Sequence, residues 1–128
     1  MSGPAWNWMW QGKCVNVVDG DTIDVILDVG FRSVRTERLR ILGVNCPEIH
    51  SSDPKIRAAG LAAKQRTQER IDSWQDNRPE PFPLIIYTHK ADAFGRYLAR
   101  VESAIFAEMD LGQTLLVTGD AVPYERKL

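Results

Sequence analysis

A chain of 128 residues has the size of a single domain and can bury about two thirds of its unfolded surface without disulfide or metal staples. Hydrophobic residues at 44% and charged residues at 26% exclude a disordered or fibrous chain. Lys and Arg number 16 against 17 Asp and Glu, a net charge of −1, which excludes a polycation held to nucleic acid by bulk charge but leaves room for a local phosphate site.

In chain order, residues 1–12 read as a Trp-rich extension in which Trp6, Trp8 and Trp10 alternate, as on one face of a strand. Residues 13–128 read as one domain. Lys13–Asp19 and Asp21–Asp28 are strand-like runs joined at Gly20, and Ile23, Val25 and Leu27 give the second a half-buried alternation. Arg35–Val44 is a third run. Ser52 or Asp53 can cap a helix with Pro54 in its first turn, and Ile56, Ala59, Ala63, Thr67, Ile71 and Trp74 form its apolar stripe. The Pro-rich stretch 77–83 stops it. Leu84–Thr88 and Phe94–Val101 are two further strands around a hairpin loop at 91–93. A second helix is expected from about Phe106 to Thr118, with Gly119 just beyond it. The order β-β-β-α-β-β-α predicts an α+β, mainly β fold: a five-stranded OB-type barrel, or else a split or ferredoxin-like sheet.

Cys14 and Cys46 are too few for a disulfide scaffold and read as free thiols. No run approaches the ~20 apolar residues of a membrane span, and the start lacks the pattern of a secretory signal. A soluble, cytoplasmic monomer is the expectation. His50 and Cys46 make a poor zinc pair, and His89 reads as a solvated strand end.

Three segments carry chemical promise. Asp19-Gly-Asp-Thr22 puts two carboxylates at a strand junction, suited either to a turn or to a hard cation. In the segment 40–48, Arg40 precedes Asn45, Cys46, Pro47 and Glu48; Arg40 and Asn45 reach one site only if the strand ends or bulges near Gly43. In the segment 92–99, Gly95 permits a tight strand start and Arg96 offers a planar donor to phosphate or carboxylate. Together they supply acidic oxygens for a cation, two arginines for an anion and one carboxylate as a base, an inventory that suits phosphodiester hydrolysis.

On these three motifs, in this order around one helix, the chain resembles the staphylococcal-nuclease (thermonuclease) family from about Lys13 to Tyr124. The resemblance implies an OB-fold nuclease that hydrolyses DNA or RNA with Ca²⁺ and leaves 3′-phosphate ends. It implies Asp21, Asn45 and the backbone carbonyl of Cys46 as metal ligands, with Asp19 in support. It further implies Glu48 as the base that activates water, Arg40 and Arg96 as phosphate-binding catalytic groups, and Tyr124 as a nucleotide contact. Asn45 stands where the family has an aspartate, and Ala93 where it has a basic residue. The lost charge at Asn45 weakens calcium binding and supports the alternative of a nucleic-acid-binding module with little catalysis.

Overall fold

The computed structural model describes residues 8–89 and 96–124. Its elements are β1 (Trp8–Asp19), β2 (Thr22–Gly30), β3 (Ser33–Ile41), β4 (Val44–Asn45), α1 (Pro54–Gln75), β5 (Leu84–His89), β6 (Tyr97–Ser103), α2 (Leu111–Thr118) and β7 (Val122–Pro123). Strands β1-β2-β3-β6-β5 close into a barrel, as an OB-like fold requires, and β4 pairs with β7 in a separate small ribbon. The barrel is antiparallel except where β3 meets β6 in parallel.

The long first strand makes closure possible. Trp8–Gly12 pair with Leu84–Thr88 of β5, while Gln11–Asp19 pair with β2. Register shifts after Cys14 and Val17 bend the strand between these tasks. Gly12 sits where both ladders overlap: a Cβ there would lie 2.8 Å from Ile86 Cδ1 and 2.9 Å from the Ile26 carbonyl. The strand therefore begins at Trp8 rather than Lys13, and Trp8 and Trp10 belong to the barrel rather than to an extension. Trp6 lies outside the described residues, as do residues 90–95, which include the predicted 91–93 loop and Phe94.

The inner face of the sheet carries Ile23, Val25, Leu39, Ile41, Ile86 and Val101, all 2% exposed or less. Helix α1 closes one side with Gly60, Ala63, Thr67, Ile71 and Trp74. Asp53 is the cap, accepting from Lys55 N at 2.9 Å. The predicted stripe holds from Ala63 onward, but Ile56 and Ala59 are exposed, and the first buried position of α1 is Gly60. Helix α2 starts only at Leu111, after the Asp110 cap; the preceding residues 106–110 are not helical. His89 corrects the sequence-based expectation, since it is buried at the end of β5.

Candidate active site

The site grows from the turn between β1 and β2. Asp19 accepts from the backbone N–H of Asp21 at 3.3 Å, folding its carboxylate over its own turn. Gly20 leaves no room for a side chain: a Cβ would lie 2.7 Å from Cys46 Sγ and 2.9 Å from Ala63 Cβ. Its carbonyl accepts from the Thr67 hydroxyl at 2.6 Å. The turn is thus clamped between α1 and the segment after β4.

Asp21 is buried and well supplied with donors. Its Oδ2 accepts from Cys46 N at 2.8 Å and lies 3.3 Å from Arg40 Nη1; its Oδ1 accepts from the Thr22 hydroxyl at 3.2 Å. Asp19 has no cation among its described contacts. Burial first, and then the neighbouring Asp21, push its carboxyl up to about 6.

Arg40 stands opposite Thr22 of β2 and Leu98 of β6. Its side chain is only 5% exposed. Nη1 donates to the carbonyls of Ile41 at 3.1 Å and Val44 at 2.9 Å, and Nη2 donates to Asn45 Oδ1 at 3.1 Å. The expected meeting of Arg40 and Asn45 does occur, and by the expected route: β3 ends at Ile41 and the chain reverses at Gly43, whose φ of +86° favours glycine. One guanidinium therefore bridges a carboxylate, an amide oxygen and two carbonyls. A buried pair of this kind costs about 3–5 kcal/mol when one partner is removed, because the other charge is stranded.

Glu48 is exposed on the loop between β4 and α1. That loop rests on Gly60, where a Cβ would lie 2.7 Å from the Pro47 carbonyl and 3.0 Å from the backbone of Glu48. Arg96 is partly exposed, just ahead of β6 and two residues before Leu98, the partner of Arg40. Two strand residues span about 6.6 Å. Tyr124 follows β7, and its N–H donates to the Gly43 carbonyl at 2.9 Å, so the β4–β7 ribbon brings it to the turn that delivers Asn45.

Asp19, Asp21, Arg40, Asn45 and Cys46 therefore converge, while Glu48, Arg96 and Tyr124 stand on three flanking segments. Cys46 is tied to the site by its N–H, which donates to Asp21. Thr67, Gly60 and strand β7 had no motif to announce them; a small residue in the middle of a helix was the one available signal, at Gly60. Among the described residues no group of three or more His, Cys, Asp or Glu is arranged to hold a metal, so a cation here would depend on mixed oxygens. Of the oxygens that could contribute, Asp21 Oδ2 and Asn45 Oδ1 already share the Arg40 guanidinium. No protein-family model and no curated protein matches the chain.

Proposed function

We propose that the protein is a calcium-dependent nuclease of the staphylococcal-nuclease type, acting on DNA or RNA. The observation that carries this reading is the convergence of Asp19 and Asp21 with Arg40 and Asn45, from separate motifs, at one clamped junction. Asp21, with Asn45, the Cys46 carbonyl and Asp19, would hold Ca²⁺, which supplies charge to offset the phosphate. Arg96 binds the phosphate from the start of β6; water attacks the phosphorus, the P–O5′ bond breaks, and the products are a 3′-phosphate and a 5′-hydroxyl whose oxygen takes a proton from solvent. Glu48 takes a proton from the attacking water. Arg40 keeps Asp21 and Asn45 aligned and reaches phosphate only by exchanging one of its internal acceptors.

The test is cleavage of single-stranded DNA and RNA with Ca²⁺ and with chelator. Chelator-sensitive cleavage is expected, and Glu48→Gln should slow it by roughly 10²–10⁴-fold. Equal rates for the two proteins, or cleavage indifferent to chelator, would sink the proposal.

A second reading has its own support. Arg40 already places a positive charge between Asp21 and Asn45, as a nucleic-acid-binding module without metal would. Calcium titration separates the two. Uptake by the protein, strengthened in Asn45→Asp by the added ligand charge, favours the nuclease; no uptake by either favours the module.

A further inference from the structure

At the end of the barrel away from the Asp21 turn, the inward side chains leave an open cavity of about 370 Å³. Its volume falls within the range of small-ligand pockets, about 300–1,000 Å³. Trp8, Trp10 and Tyr97 supply its aromatic wall, and Leu27 and Leu39 its apolar side. The rings are fixed in place: Trp10 Nε1 donates to Thr88 Oγ1 at 3.0 Å, and Trp8 meets Tyr97 edge to face, with centroids 6.4 Å apart at 80°. An ion pair joins Arg35 to Glu37 on the rim, with the Arg35 side chain 68% exposed and that of Glu37 only 22%. Trp10 and Tyr97 rest partly buried against the barrel core, while Trp8 stays 46% exposed at the opening.

We propose that this barrel mouth binds one unpaired nucleobase. A flat ring with apolar faces and a donor–acceptor edge matches fixed aromatic rings beside an Arg–Glu pair. An aliphatic ligand would use the walls but not the polar atoms that the Arg35–Glu37 pair presents at the rim. The location also fits a nucleotide chain: Leu39 and Tyr97, which pair across β3 and β6, are the sequence neighbours of Arg40 and Arg96. The proposal rests on the nucleic-acid reading for the source of the base, but it concerns a separate cavity and needs neither metal nor cleavage.

The experiment is titration of the full chain, without metal, with adenosine, guanosine, cytidine and uridine, and with cyclohexanol as a saturated control. The tryptophan indole N–H signals are followed by NMR and assigned from Trp8→Ala and Trp10→Phe. Nucleosides should shift the Trp8 and Trp10 signals and leave that of the buried Trp74 in place. Trp8→Ala should weaken binding roughly tenfold, as the loss of one stacking ring does. Glu37→Gln, which keeps size and fold, should weaken nucleosides severalfold. No shift with any nucleoside, or equal binding of cyclohexanol, would overturn the proposal. Loss of nuclease activity alone would not, because nucleoside binding is read independently.

Discussion

The surroundings of Asp19 work against its charge. With a carboxyl pushed up to about 6 from an ordinary 3.8, the folded chain holds its proton more tightly than the unfolded chain does. That stabilisation is fully present below pH 3.8 and lost as pH rises through about 6. Asp19→Asn, which keeps an acceptor for the Asp21 N–H, should therefore stabilise the metal-free protein at pH 8 by about 1 kcal/mol, after allowance for its partial exposure. The gain should vanish below about pH 4, and thermal melts with chelator across this range would show it. A pH-independent gain would place the effect in packing. The two thiols make a second case at this scale. Burial pushes Cys14 up to about 11, and burial with the Asp21 charge pushes Cys46 up to about 12. Neither should react with iodoacetamide at pH 8 in the folded chain, and both should react in denaturant; mass spectrometry counts the adducts.

Between elements, the decisive contact is the crossing of the Glu48 loop over α1. A glycine in mid-helix ordinarily costs about 1 kcal/mol relative to alanine, so Gly60→Ala would stabilise α1 if space allowed. Its Cβ would instead press on the Pro47 carbonyl at 2.7 Å, a backbone atom that cannot swing aside as a flexible side chain can. Net destabilisation of about 1–3 kcal/mol is expected, and on the proposed nuclease reading cleavage should slow as Glu48 is displaced. A higher melting temperature with unchanged activity would show that the loop can move aside. The other end of α1 is held differently: Trp74 is fully buried, and its Nε1 donates to Glu108 Oε2 at 3.1 Å while Arg70 bonds the same oxygen at 2.6 Å. This anchors the non-helical segment before α2 to the barrel helix.

Across the whole molecule, the charges are segregated along the chain but paired in space. Residues 19–28 carry four acids and no base, and residues 32–40 carry four arginines against Glu37. The β2–β3 hairpin pairs Asp24 with Arg38 at 2.8 Å, and Asp21, in the turn just before β2, pairs with Arg40 at 3.3 Å. The basic run of α1 answers the acidic stretch 101–120 through Arg66–Asp120 at 2.9 Å and Arg70–Glu108 at 2.6 Å. Blocks that look like a phosphate-binding surface in sequence serve partly as internal stitching. The exposed stitches are individually weak: a double-mutant cycle on Arg66 and Asp120 should give no more than about 1 kcal/mol, diminishing with salt. A larger, salt-insensitive coupling would mean that the pair is more enclosed than its geometry indicates.

The sequence by itself determined most of the elements and their order, because strand alternation in β2, the Asp53–Pro54 helix start and the proline stop are local signals with local causes; that the strands close into a barrel rather than an open split sheet was decided by the β1–β5 and β3–β6 ladders. It also determined that Arg40 and Asn45 could meet, because Gly43 alone decides whether the strand must end. Only the tertiary structure decided what that meeting means. Whether Arg40 points to water or inward depends on the Val44 carbonyl and on Asp21, which lie on other turns of the fold. The burial of His89, the second ladder that makes Trp8 a barrel residue and the ribbon that carries Tyr124 to Gly43 likewise depend on partners distant along the chain. A residue's neighbours in sequence set its backbone; its solvation and charge are set by what packs over it.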